Sequence, residues 1–229
     1  RLRQQQVTRG GAIASARHTY LSKKEKTMAN WTTLQENLER KGYRVQHFAT
    51  GEQAAMYLNG QIDGATVGFG GSLTLHQMHL FPLLAAHNTV FWHDETPAGM
   101  TVMQTRTAAA RAEVYLSSVN GISETGEIVN IDHTGNRVAA ISYGPARVYL
   151  VVSANKVAPT LADAIDRARN IAAPKNAQRL HRKTPCALRA DKCYDCQSPE
   201  RICRNLSILW EKPAGAAYEV ILLDEALGY

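Results

Sequence analysis

Residues 65–86, ATVGFGGSLTLHQMHLFPLLAA, decide how the fold is read. The run 65–69 is short and apolar, as a strand buried on both faces would be. It enters the turn Gly70, Gly71, Ser72, and a helical stretch is expected over 73–86. Strand, glycine turn and helix in that order make the first half of a β-α unit.

The pattern repeats outward in both directions. Upstream, 30–41 (NWTTLQENLERK) places Trp31, Leu34 and Leu38 at helical spacing before Gly42. Residues 43–48 alternate like a strand, and Thr50 caps a short helix over 52–58 that stops at Asn59 and Gly60. Downstream, 89–92, 113–117 and 147–153 are rich in β-branched and aromatic residues and read as strands, with a helix over 101–111 between two of them. Residues 127–131 read as a short strand or a turn, and 138–143 as helix or strand. A helix is expected over 161–172, limited by Pro174, and a last strand over 218–223. Strands alternating with helices predict an α/β fold with a mainly parallel sheet flanked by helices.

Composition agrees with a globular domain: 45% of the 229 residues are hydrophobic and 20% charged. No apolar run is long enough for a bilayer, and no apolar core of a secretory signal follows the basic N-terminus, so a cytoplasmic protein with no membrane span is expected. The formal charge is +6. Residues 1–27 hold seven Lys/Arg against the single acid Glu25, which accounts for all of it. The rest, 28–229, is neutral, which argues against a nucleic-acid groove. The extension reads as a solvated arm, with Met28 as a natural start; docking on a partner, a membrane surface or RNA is the alternative.

All four cysteines fall in one segment, 184–204, as Cys186-x6-Cys193-x2-Cys196-x6-Cys203. A disulfide framework would spread its cysteines, whereas clustering indicates a metal. Cys193 and Cys196 bracket a tight turn, and the six-residue arms are long enough to bring two more sulfurs to the same centre. Four thiolates suit an iron–sulfur cluster or tetrahedral zinc. Zinc ribbons use two short knuckles and here there is one, which favours the cluster. Neighbouring cations, Arg182, Lys183, Arg189, Lys192, Arg201 and Arg204, offset negative charge in either case.

Three further stretches carry ligand chemistry. Gly70, Gly71, Ser72 and Thr74 offer backbone N–H groups and hydroxyls to an anion, or else form a capped strand-to-helix turn. Glu127, Asn130, Asp132, Gly135, Asn136 and Arg137 bring carboxylate, amide and guanidinium groups around a glycine. Arg137 can grip a carboxylate or phosphate, with Asp132 or Glu127 acting on a proton, or Asp132 and Arg137 form a local salt bridge in an Asx-rich turn. Asn155 and Lys156 follow a strand, where parallel sheets open their sites. His76 and His79 share a face of the expected helix but lack a third ligand.

Taken together, GFGGSLTL (68–75), TGEIVNIDHTGNRVAA (125–140), the GP-x2-VYLVVSANK stretch (144–156), RNIAAPKNAQRL (169–180) and TPC-x6-C-x2-C-x3-ER-x-C (184–203) resemble the lactate-utilisation (LUD) domain family. The likeness covers 30–229 and is to the LutC- and YkgG-related subgroup with a C-terminal four-cysteine motif. It implies a fold like ribose-5-phosphate isomerase, glucosamine-6-phosphate deaminase and the CoA transferases, with a small cysteine-rich metal lobe. It also implies association with iron–sulfur machinery that oxidises L-lactate.

Three functions follow. The first is a redox enzyme or subunit with a [4Fe-4S] cluster, a small anionic organic substrate, redox partner subunits and a homo-oligomeric state. The second is a non-redox enzyme on a phosphosugar or acyl-CoA-like substrate, with structural zinc. The third is a scaffold without chemistry of its own.

Overall fold

A computed structural model describes residues 31–229. The basic stretch 1–27 and Met28 lie outside the described residues.

Six parallel strands form the main sheet: β1 (Arg44–Phe48), β2 (Thr66–Phe69), β3 (Thr89–Phe91), β4 (Val114–Ser118), β7 (Arg147–Ser153) and β10 (Ala217–Leu223), in the order β1-β10-β7-β4-β2-β3. Side chains on a strand alternate between faces, and both faces here are apolar. Along β7, Val148, Leu150 and Val152 enter one core with Leu34, Leu38 and Ile141, while Tyr149 and Val151 enter the other with Leu58, Leu75 and Leu84. In β10, Val220 and Leu222 join the first core, Ile221 and Leu223 the second. Gly68 in β2 is required by packing, because a Cβ there would stand 2.1 Å from the Ala109 carbonyl oxygen.

Helix α1 (Trp31–Arg40) leads into β1, and α2 (Gly51–Gln61), α3 (Leu73–Gln77), α4 (Leu80–Ala85) and α5 (Val102–Ala110) connect the early strands. Thr50 caps α2 as expected, accepting from Gln53 N–H at 3.2 Å. The helix expected over 73–86 divides at His79, whose φ of 52° is left-handed. Pro82 explains the break: in a continuous helix its ring would collide with the Met78 carbonyl, so the chain restarts and Pro82 falls in the first turn of α4.

A second, four-stranded sheet lies beside the first: β5 (Gly121–Ser123), β6 (Ile128–Asp132), β8 (Val157–Ala158) and β9 (Asn205–Leu209), ordered β8-β5-β6-β9. β6 pairs antiparallel with both β5 and β9. The stretch 127–131 is thus a strand, and 138–143 is mainly helix, within α6 (Asn136–Ser142).

Pro174 does not stop the helix that begins at α7 (Leu161–Arg167). The chain passes through a π segment, Ala168–Ala172, into α8 (Ala173–Arg179). The Ala173 N–H reaches back to the Ala168 carbonyl, five residues away, and the widened turn accommodates the ring of Pro174 at the start of α8. The cysteine segment then folds against α8. It contains α9 (Pro185–Arg189), capped by Thr184, and Ala187, Ile202 and Cys186 pack on Ala177.

Candidate functional site

β2, β4 and β7 are neighbours, and the turns at their carboxyl ends face one cavity of about 230 Å³. Gly71, Ser72 and Thr74 come from the turn after β2, Ser118 and Asn120 from the end of β4, and Lys156 from the 3₁₀ turn Ala154–Lys156 after β7. Asp132, Asn136 and Arg137 face it from β6 and α6, and Asn176 and Arg179 from α8. This is where ligands enter parallel α/β sheets. Two glycine- and Asx-rich motifs and one lysine, far apart in sequence, meet here.

The glycine motif uses the Ser72 hydroxyl internally. Ser72 accepts from Leu75 N–H at 3.2 Å, capping a helix of only five residues. Gly70 lies behind the cavity wall. A Cβ on it would stand 2.8 Å from Ser117 Oγ and 3.0 Å from Arg137 Cδ, so its bare backbone lets the Arg137 stem pass. Gly71 packs against the His93 ring.

Asp132 and Arg137 do not form the salt bridge weighed from sequence. Asp132 Oδ2 accepts the backbone N–H groups of Arg137 and Val138, each at 3.1 Å, and caps α6 where Gly135 has no side chain to offer. The buried Arg137 guanidinium donates to Ser118 O at 3.0 Å and Asn130 Oδ1 at 2.6 Å through one nitrogen. Through the other it donates to Asn120 Oδ1 at 2.9 Å and Ile131 O at 2.7 Å. Arg137 therefore ties β4, the β4–β5 turn and β6 together, with Asn130 as one of its acceptors. Asn136 lines the cavity, whereas Asn130 and Gly135 stand behind it.

Glu127 lies at the other end of β6 and does not line the cavity. It accepts from Lys41 Nζ at 3.0 Å and from the hydroxyls of Ser123 and Thr125. Burial pushes its carboxyl up, but those three donors outweigh burial and bring it down to about 2. It anchors α1 to the small sheet.

Lys156 is 2% exposed. Its Nζ donates to Thr74 Oγ1 at 2.6 Å and to Ser118 Oγ, and it makes no ion pair among the described residues. Burial, with Arg167 and Arg137 nearby, pushes the amine well below the usual lysine range. Asn155 turns away, donating to Gly228 O at 3.3 Å.

The cavity is cationic. Five Lys/Arg side chains line it, Arg106, Arg137, Lys156, Arg179 and Arg182, against Asp94 and Asp132. Buried Nε atoms of Arg106 and Arg182 and the Nδ1 of His93 have no protein partner among the described residues. Buried polar atoms without a partner are costly. Of the lining residues that the sequence did not assign to a ligand site, Ser118 follows the strand expected over 113–117, whereas Arg106, Arg179 and Arg182 carry no local signal for this cavity.

His76 pairs with Asp94 at 2.9 Å, and the break at His79 removes the shared helical face expected of the two histidines.

The four cysteines are free thiols lining one small cavity with Ala173, Pro174, Ala177 and Ile202. Asp195 N–H points at Cys193 Sγ at 3.3 Å, and Arg169 and Arg201 stand beside them. Among the described residues, no group of three or more His, Cys, Asp or Glu side chains is disposed to hold a metal ion. The thiols share a space without closing on a common point. Ala173 and Ile202 are walls of both cavities.

Fold and site define an α/β protein with a cationic pocket at the carboxyl ends of its parallel strands. The LUD domain family model matches residues 32–223, and the chain belongs to that family. The crystal structure of a DUF162 family protein from Deinococcus radiodurans is similar at a TM-score of 0.47 and 14% identity, covering 84% of this chain and 94% of that one. No curated protein matches the chain. Among the described residues no helix is long and apolar enough to cross a membrane.

Proposed function

We propose that this LUD-domain protein is a redox enzyme or subunit of small organic acid utilisation, lactate or a relative, holding an acid in the cationic cavity beside a cysteine-bound iron–sulfur cluster. One observation carries the reading: the cationic cavity and the cysteine cavity share the lining residues Ala173 and Ile202. The helix running from the π segment into α8 serves both, with Arg169 on the cysteine side and Asn176 and Arg179 on the other. A volume of about 230 Å³ is below that of drug-sized sites and suits an acid of a few carbons.

The protein's own part is to bind and orient. Arg106, Arg179 and Arg182 receive the carboxylate, and Lys156 with its two hydroxyl partners faces the carbon that reacts. Cys186, Cys193, Cys196 and Cys203 would hold the cluster, which supplies one-electron transfer when bound. Oxidising a 2-hydroxy acid releases two electrons and two protons, so a redox partner subunit is implied. The cavity that the thiols line is about 10 Å³, roughly the space of one water. That small space favours zinc as the second reading.

Anaerobic purification followed by iron, sulfide and zinc analysis decides between them. Brown protein with iron and sulfide that is lost on Cys193→Ser supports the proposal. Colourless protein with one zinc per chain overturns it.

A further inference from the structure

Lys156 has a chemistry that carboxylate binding alone does not use. A buried ammonium ordinarily has a carboxylate beside it. Among the described residues this one has only the hydroxyls of Thr74 and Ser118. Each hydroxyl has a carbonyl within reach for its own hydrogen, Leu227 O at 3.4 Å for Thr74 and Val119 O at 3.5 Å for Ser118. Their lone pairs therefore face Nζ. A neutral amine has two hydrogens, and both are engaged. The fourth tetrahedral position at Nζ, its lone pair, has no protein partner among the described residues, and the lysine lines the cavity. Arg137 and Arg167 are the charged groups nearby, and both disfavour a second positive charge at Nζ.

We infer that Lys156 is a nucleophile that captures a 2-oxo acid as an imine in the cationic cavity. The inference rests on that cavity being the site of a small carboxylate; it does not depend on the cysteines. The Nζ lone pair adds to the C2 carbonyl carbon to give a carbinolamine. The carbonyl oxygen then leaves as water, taking both Nζ hydrogens, and the C=N bond forms. No oxidant or reductant is consumed. Thr74 and Ser118, in contact with Nζ, are placed to pass those protons, while Arg106 and Arg182 hold the carboxylate. Burial and the two flanking arginines favour the unprotonated amine, the form that such chemistry requires.

The test uses the full chain with pyruvate as probe and lactate, which has no carbonyl, as control. Binding of each is measured by calorimetry, and borohydride is then added to trap any imine. The expected result is a reduced adduct mapped by peptide mass spectrometry to Lys156. It should saturate with pyruvate and be absent with lactate and in Lys156→Arg, whose guanidinium cannot condense. Mapping on the unaltered chain keeps the test valid if that variant does not fold. If pyruvate and lactate bind competitively and no adduct forms on Lys156, the imine is overturned and the carboxylate site stands. If neither acid binds, both are overturned. Adducts spread over surface lysines, with none on Lys156, overturn the imine as well.

Discussion

The Asp132 carboxylate accepts the backbone N–H of Arg137 at 3.1 Å, while the Arg137 guanidinium turns the other way into neutral oxygen acceptors. Two residues that look like an ion pair in sequence thus do separate jobs. Asp132 holds the start of α6, and Arg137 locks the β4 and β6 ends that frame the cavity.

Removing the cap isolates the first job. Asp132→Ala should lower unfolding stability by about 1 kcal/mol, the usual cost of a lost cap, and Asp132→Asn by less, since the amide oxygen still accepts. Urea denaturation of the two variants measures this. Equal losses in both would instead assign the effect to charge.

Arg137→Lys should be the more damaging change. A lysine cannot span the acceptors on Ser118, Asn120, Asn130 and Ile131, and leaving several buried oxygens unpaired costs about 3 kcal/mol or more. The checking measurement is the denaturation midpoint, with ligand affinity falling alongside it as the frame loosens.

Arg106 and Arg182 line the cavity and are the proposed carboxylate receptors. Replacing either by Gln should weaken carboxylate binding about tenfold, the order expected for a charge-assisted hydrogen bond. The loss should shrink at high salt, because the cavity is open enough for ions to screen it. Calorimetry at two salt concentrations tests both statements.

Glu127 sets a pH dependence of stability. Its carboxyl sits at about 2 in the folded chain against an ordinary 4.5, so the folded state binds the proton less readily than the unfolded one. The contribution is present in full above about 4.5 and is lost as pH falls toward about 2. Glu127→Gln should remove that part of the acid sensitivity. The readout is the unfolding midpoint from pH 5 downward, compared with the parent chain.

Much of the main sheet was legible because its signals are local. Runs such as 147–153 and 218–223 carry β-branched residues on both faces, which only a doubly buried strand tolerates. The Thr50 cap was visible for the same reason. Boundaries failed where a proline's effect depended on its surroundings. Pro82 divided one helix, while Pro174 was absorbed by a π turn in another. The small sheet was mostly missed because β8 has two residues and β5 three, too few to show a period.

By itself the sequence determined the alternation of strands and helices, the family, and which residue types could serve a ligand: the glycine turn, Asp132 and Arg137, Lys156 and the cysteine group. Those are properties of short windows, where propensity, capping and spacing act. Only the tertiary structure decided which of these residues meet. It placed Lys156 between Thr74 and Ser118, sent Glu127 to the far end of its strand, gathered Arg106, Arg179 and Arg182 around one cavity, and set the thiols behind its wall. Burial and charge at a side chain depend on neighbours that the order of parallel strands brings together, and no window of sequence contains them.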